Sequence, residues 1–162
     1  PTTLTLLRAR APRGQRAVGR VPRGRREAIS WLATLTTRGI GESLLVRGAV
    51  DRPVFEAFVE WVLVPSLRPG QIVILDNLSV HKSARAKALI QAAGCQLVFL
   101  PTYSPDLNPI EKMFSKVKTW LRRVAARTTD GLVHAIGDAL RAVLPDECRA
   151  YLRNSGYATL DR

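Results

Sequence analysis

Hydrophobic positions follow two spacings along this chain, and each spacing predicts a different kind of element. Short runs of apolar and β-branched residues predict strands, whereas apolar residues three and four positions apart predict helices. The predicted order is two strands, a helix, a strand–helix–strand unit and then three helices. The strands are placed at 27–37, 42–50, 71–75 and 96–100, and the helices at 53–64, 83–93, 109–126, 131–143 and from 145 onward.

The predicted elements favour an α/β fold. The first two strands form an antiparallel hairpin, and the strand–helix–strand unit predicts a right-handed parallel crossover. Because IVIL at 72–75 is continuously apolar, that strand is expected to be buried on both faces. A mixed sheet flanked by helices is therefore the expected architecture, in one domain spanning residues 1–162, with C-terminal helices from about residue 129.

Helical spacing also predicts which side chains face the core. The helix at 83–93 is expected to bury four small or apolar residues, Ala84, Ala88, Leu89 and Ala92. The helix at 109–126 is expected to bury a stripe made of Ile110, Phe114, Val117, Leu121 and Val124.

Charge identifies the kind of partner. With 25 Lys and Arg against 13 Asp and Glu, the net charge is +12, which favours nucleic acid. Residues 8–26 hold eight arginines and no acid, and their turn-forming residues predict an extended arm or loose hairpin that contacts phosphates, with a solvated loop as the alternative. An anionic membrane surface is the rival partner, but no stretch approaches the roughly 20 apolar residues of a span. Cys95 and Cys148 match no metal-ligand spacing, as in a reduced, cytoplasmic protein.

Two carboxylates stand at element ends and are the candidate metal ligands. Asp76 directly follows a strand, Glu111 opens the longest helix, and 34 residues separate them. Carboxylates beyond the ends of parallel strands suit Mg²⁺, which takes oxygen ligands. Structural roles are the alternatives: Glu111 follows Asn108 at capping-box spacing, and Asp76 could form an Asx turn.

A basic helix face favours the metal role for Glu111. Ser115, Lys118 and Arg122 follow Glu111 at helical spacing and share its face. Residues 112–127 include six basic residues and no acid. A carboxylate at the head of such a face suits a metal ion above a phosphate backbone.

Two segments carry a resemblance to a known family. LDNLSVHK at 75–82 and LPTYSPDLNPIEKMFSKVK at 100–118 closely resemble the DDE transposases of bacterial insertion sequences, in the insertion-sequence six-thirty group of the Tc-mariner superfamily. RAPRGQRA at 10–17 is also similar to that group. The resemblance implies a ribonuclease-H-like catalytic domain that cuts and joins DNA with a divalent metal, Mg²⁺ with Mn²⁺ as the alternative.

The resemblance also implies roles for individual residues. Asp76 resembles the second catalytic acid and Glu111 the third, so both are expected to be catalytic and to bind the metal. The residues expected to contact DNA are Arg10, Arg13, Arg16, His81, Lys82, Lys118 and Arg122. The partners implied are the terminal inverted repeats of a transposon and target DNA, in the bacterial cytoplasm at the nucleoid. A homodimer is left open.

The sequence departs from the family pattern at its beginning. The first catalytic Asp of these relatives would fall before Pro1, and the chain has no Asp before Asp51. We therefore expect a transposase catalytic domain without its first strand, inactive as it stands. The alternative is a transposase remnant that only binds nucleic acid. An unrelated ribonuclease-H-like nuclease is disfavoured by the YSPDLNPIE segment at 103–111.

Overall fold

The computed structural model of this chain describes residue 13 and residues 28–158. Within that part the strands and helices follow one another in the predicted order. They are β1 (Ile29–Thr36), β2 (Gly39–Arg47), α1 (Arg52–Phe58), β3 (Ile72–Leu75), α2 (Ala84–Ala92), β4 (Gln96–Phe99), α3 (Pro109–Val124), α4 (Thr129–Arg141) and α5 (Pro145–Asn154). None of the helices in residues 28–158 is long and apolar enough to cross a membrane.

Local capping explains where three of the helices begin. The side chains of Asp51, Ser83 and Thr128 each accept a hydrogen bond from a backbone N–H of the following first turn. Such caps satisfy donors that the helix itself leaves unpaired. Beyond its regular part, α1 continues through a π-helical turn at Val59–Leu63 and a 3₁₀ turn at Val64–Ser66.

β1 and β2 form an antiparallel hairpin whose pairing contains a bulge. Trp31 pairs with Leu45, and after a register shift Leu35 pairs with Ile40. The extra residue in β2 brings Ile40 onto the face that already carries Leu45, because side chains otherwise alternate strictly along a strand. At the bulge, a Cβ added to Gly41 would lie 2.5 Å from Thr34 Oγ1, so only glycine fits without rearrangement.

The hairpin has a hydrophobic cluster on each face. One face contributes Trp31 and Leu45 to a cluster formed with α3, α4 and α5, in which Met113 and Cys148 are fully buried. The other face contributes Leu32 and Leu44 to a cluster formed by residues of α1, α2, β3 and β4. The hairpin is therefore the layer between two halves of the core.

β3 and β4 pair in parallel, as predicted, in register from Ile72 opposite Gln96 to Leu75 opposite Phe99. The expectation that β3 is buried on both faces is wrong. Ile72 of β3 is 58% exposed, and Val98 of β4, on the same face of the sheet, is 44% exposed. This face is open because α1 and α2 pack on the opposite face only. The described strands also form two separate two-stranded sheets, where the sequence predicted one mixed sheet, because no hydrogen bonds join β1 or β2 to β3 or β4.

Two of the predicted helix faces need correction. In α2 the buried residues are Ala86 and Ile90, whereas Ala84, Ala88 and Ala92 are exposed. The helix is turned because Ser83, its buried N-cap, donates a hydrogen bond to Glu56 of α1. In α3 the predicted stripe is confirmed at Val117 and Leu121, with Met113 added. Val124 is 48% exposed, since the helix ends there and Ala125 takes a left-handed conformation.

A charged contact ties α3 to α5. Lys116 Nζ donates to both carboxylate oxygens of Glu147 at 2.6 Å and to the carbonyl oxygen of Ala142 at 3.2 Å. Glu147 also accepts from the backbone N–H of Leu144 at 2.9 Å. The hydrogen bond from Lys116, followed by that from Leu144, holds the pKa of Glu147 below its ordinary value.

The bulge predicts a destabilising substitution. Gly41→Ala should reduce the free energy of unfolding by about 1–3 kcal/mol, the usual cost of forcing an extra methyl into a filled position. The clash is with Thr34 Oγ1, which also donates to the carbonyl oxygen of Glu42 at 3.1 Å and so cannot turn away freely. Urea unfolding measures the change, and in a Thr34→Ala background the loss should shrink.

Gly137→Ala is the matched control for that substitution. Gly137 lies within α4, and a Cβ there would make only an ordinary contact, 3.7 Å from Arg141 Nη1. Alanine should therefore stabilise the protein by about 0.5–1 kcal/mol, because glycine is unfavourable within a helix. Equal effects of the two substitutions would contradict the bulge geometry.

Glu147→Gln should destabilise the protein in a pH-dependent way. A carboxyl whose pKa is lowered by folding stabilises the folded state above its unfolded pKa, and that stabilisation is lost as pH falls through the folded pKa. The difference in unfolding free energy between wild type and Glu147→Gln should thus be full at neutral pH and shrink below the ordinary value of 4.5. Urea unfolding across this range measures it, with Glu42→Gln, an exposed position on β2, as the control. A difference that does not change with pH would contradict the role of Lys116.

Candidate active site

Asp76 lies at the carboxyl end of β3, where the sequence placed it. The ladder between the parallel strands extends one step past the strands, since the Leu100 N–H donates to the Leu75 carbonyl oxygen at 2.8 Å. Asp76 is the next residue, and its side chain is 33% exposed. The loop that leads to Glu111 leaves the sheet at the same edge, because β4 runs parallel to β3.

One oxygen of Asp76 accounts for both of its hydrogen bonds. Oδ1 accepts from the backbone N–H of Leu78 at 3.2 Å, which is the Asx turn that the sequence left open. The same Oδ1 lies 2.6 Å from Nδ1 of His81. Within residues 28–158, Oδ2 has no hydrogen-bond partner and can accept a further ligand.

His81 is held in place from its other side. It ends a 3₁₀ turn, Ser79–His81, and its side chain is only 16% exposed. Its ring lies against that of Phe55, with the centroids 4.6 Å apart and the planes tilted by 42°. The structure brings Nδ1 of His81 to Asp76, and the DNA contact that the sequence assigned to this residue stays a prediction.

Glu111 is exposed in the first turn of α3, and the alternative of a capping box is not formed. Asn108 is the N-cap residue, but its side chain makes no capping hydrogen bond. The contact between the two is a backbone bond, from Glu111 N–H to the Asn108 carbonyl oxygen at 3.2 Å. Among the residues described, the Glu111 carboxylate has no hydrogen-bond or ion-pair partner.

The head of α3 is fixed by residues near the C-terminus that sequence reasoning missed. Lys112 Nζ donates to Ser155 Oγ at 3.2 Å, and the Tyr157 hydroxyl donates to the Leu107 carbonyl oxygen at 2.8 Å. Burial raises the pKa of Tyr157, so its hydroxyl keeps the proton that this bond requires. The closing Gly156-Tyr157 pair was the available signal, although nothing in it indicated the partner.

The predicted DNA-contacting residues lie in several places. Lys118 and Arg122 are half-buried on the face of α3 that Glu111 heads, and Lys118 Nζ is 5.9 Å from the Phe114 ring centroid. Lys82 is exposed just after the turn that holds His81, and Arg13 is exposed as well. Arg10 and Arg16 lie outside the described residues.

The two carboxylates fit a divalent cation only in part. Each offers an oxygen without a partner in the described part of the chain, and oxygen is the ligand that Mg²⁺ and Mn²⁺ prefer. However, residue 13 and residues 28–158 contain no group of three or more His, Cys, Asp or Glu side chains that could hold a metal ion. Asp76 and Glu111 can thus supply part of a metal site.

Known transposases are similar in sequence to this chain. The chain is 25% identical to the Tc1 transposase of Caenorhabditis elegans over 139 residues, which are 76% of this chain and 51% of that protein. It is 26% identical to the Tcb1 transposase of Caenorhabditis briggsae over 127 residues, 69% of this chain and 46% of the relative. The chain therefore spans about half the length of these relatives.

Solved structures share the fold. The Mos1 strand transfer complex matches with a TM-score of 0.52 and 17% identity, over 94% of this chain and 50% of that one. The pre-cleavage Mos1 transpososome matches with a TM-score of 0.50 and 16% identity, over 94% and 52%. These matches confirm the predicted ribonuclease-H-like α/β fold.

A family model and the Tc1 and Tcb1 relatives support the predicted resemblance, whereas membership of the bacterial insertion-sequence six-thirty group stays a prediction. The model, described as "DDE superfamily endonuclease", matches residues 2–132. That segment is most of the chain and contains both Asp76 and Glu111. The chain belongs to the DDE superfamily endonucleases.

Proposed function

We propose that this chain is the catalytic part of a transposase, which hydrolyses phosphodiester bonds at transposon ends and transfers the freed strand to target DNA. One observation carries the proposal. Asp76 and Glu111 follow the two parallel strands of this family member, and each keeps a carboxylate oxygen without a partner in the described part of the chain. The structural alternative for Glu111, a capping box with Asn108, is not formed.

Asp76, through Oδ2, and Glu111 are the residues that would hold the divalent cation, Mg²⁺ or Mn²⁺. A cation bound there supplies Lewis acidity toward phosphate oxygens. The Asp76 side chain is oriented for this by the Leu78 N–H and His81, and the start of the helix that carries Glu111 is held by the bonds of Lys112 and Tyr157. The protein's own contribution is to hold the Asp76 carboxylate and the backbone of Glu111 in place before the cation and DNA arrive.

The pair is too small a ligand set for full activity. Two-metal phosphodiester chemistry uses more ligands than two carboxylates supply, and the described residues contain no group of three or more His, Cys, Asp or Glu side chains that could hold a metal ion. We therefore infer that the chain as it stands cleaves DNA weakly. Rapid Mg²⁺-dependent nicking by the purified chain would contradict this inference.

Double-stranded DNA is the proposed substrate and partner. The net charge of +12 and the basic face of α3 support it, with Lys118 and Arg122 on that face and Lys82 beside the Asp76 turn. Arg10, Arg13 and Arg16 complete the proposed contacts. Terminal inverted repeats and target DNA are the expected sites, a homodimer is left open, and the bacterial nucleoid is the expected location.

A remnant that only binds nucleic acid is the second candidate. The absence of a metal-binding group of three or more His, Cys, Asp or Glu side chains among the described residues favours it. The two functions differ in one measurable way, because an enzyme requires the carboxylates and a binding protein does not. Restoring activity with upstream coding sequence would favour the enzyme.

Asp76→Asn and Glu111→Gln should each abolish metal-dependent cleavage while leaving DNA affinity nearly unchanged. Each substitution removes a carboxylate oxygen that would bind the cation but keeps the side-chain shape. Cleavage of labelled transposon ends is measured on the chain extended by its upstream coding sequence, and DNA affinity by fluorescence anisotropy. The matched control is Asp138→Asn, which changes an exposed carboxylate of α4 that pairs with Arg141. This variant should cleave DNA at the normal rate.

If either active-site variant cut DNA at a near wild-type rate, the ligand assignment would be wrong. If no form of the protein cut DNA while all of them bound it, the binding-only candidate would replace the enzyme.

Lys118→Ala with Arg122→Ala should weaken DNA binding and flatten its dependence on salt. Each lost phosphate contact should reduce the slope of log affinity against log salt by about 0.9. Arg141→Ala is the control, since that arginine is a basic residue that lies on α4 and pairs with Asp138. Equal slopes for the double variant and wild type would remove these two residues from the DNA path.

A further inference from the structure

We propose that His81 is a positioning residue that orients Asp76 and fixes which of its oxygens is free for the cation. The inference rests on the proposed metal role of Asp76 and deepens it. Its basis is the 2.6 Å contact between His81 Nδ1 and Asp76 Oδ1 together with the burial of the histidine ring.

The chemistry of the pair decides the direction of the hydrogen bond. An ionised carboxylate only accepts, so Nδ1 of His81 must carry the proton and donate it. The Leu78 N–H donates to the same oxygen at 3.2 Å. Two donors on Oδ1 hold the carboxylate against rotation about its Cβ–Cγ bond, so Oδ2 is the oxygen presented to a cation.

The histidine can do this because its own ring cannot turn freely. Phe55, which is 2% exposed, packs against the ring at a centroid distance of 4.6 Å. Two residues further along, Ser83 donates to Glu56, the neighbour of Phe55 in α1. The segment from Asp76 to Ser83 is thus anchored to α1 at both the ring and the following cap. Partners of this kind, behind a metal ligand, typically change metal affinity by 10- to 100-fold when removed.

Two substitutions separate the hydrogen bond from packing. His81→Phe keeps an aromatic ring against Phe55 but removes the N–H donor. His81→Asn removes the ring, but its side-chain amide nitrogen can occupy the place of Nδ1 and donate to Oδ1. A positioning role predicts that His81→Phe lowers the affinity for Mn²⁺ by about tenfold or more, and that His81→Asn keeps most of the wild-type affinity. A purely structural role of the ring predicts the opposite order.

Mn²⁺ itself is the probe, titrated into the 162-residue chain while NMR records paramagnetic broadening of the Leu78 amide. A second readout needs no metal: the ¹⁵N shifts of His81 should show the Nδ1–H tautomer.

The outcomes test the positioning role of His81 and the metal role of Asp76 separately. A Nε2–H tautomer or wild-type Mn²⁺ affinity in His81→Phe would overturn the positioning role. Asp76→Asn serves as the reference for the site itself. If Asp76→Asn bound Mn²⁺ as wild type does, the proposed function would fail, whereas the tautomer would still report whether the Asp76–His81 bond exists.

Discussion

The hairpin between the two hydrophobic clusters is the constraint on which the candidate site depends. Asp76 is carried by the half of the core that packs on Leu32 and Leu44, whereas Glu111 begins a helix of the half that packs on Trp31 and Leu45. The two carboxylates therefore belong to different clusters, and the shared hairpin relates one cluster to the other. The bulge at Gly41 keeps the Ile40 side chain in the cluster of α3.

Structural and functional roles coexist at Asp76 because a carboxylate has two oxygens. The Asx turn and the histidine contact both fall on Oδ1, so the turn that explains the residue structurally also leaves Oδ2 available. The two interpretations of the sequence were posed as alternatives, but they are compatible: the Asx turn is formed, and the metal role stays a prediction. At Glu111 the outcome differs, since Asn108 begins the helix without a side-chain cap and the carboxylate is left to solvent.

The order of strands and helices was predictable from the sequence, whereas the buried face of each element was less so. Periodicity and turn residues act within a few positions, so element order and the parallel pairing were predicted. The buried face of α2 was not, because an alanine-rich helix has no strong apolar side and its rotation follows the Ser83–Glu56 bond, which spans 27 residues. A continuously apolar strand such as β3 likewise does not say which of its faces is covered.

The same difference in range applies to the candidate site, and it separates the candidate ligands from the residues that support them. Asp76 and Glu111 could be proposed as ligands because they stand at element ends, which is local information. The supporting residues needed the fold: His81 reaches Asp76 only through a 3₁₀ turn, and Tyr157 reaches Leu107 across 50 residues. The family match ends at residue 132, whereas Tyr157 lies beyond it. The position of Glu111, inside the family segment, is thus set partly by a residue outside that segment.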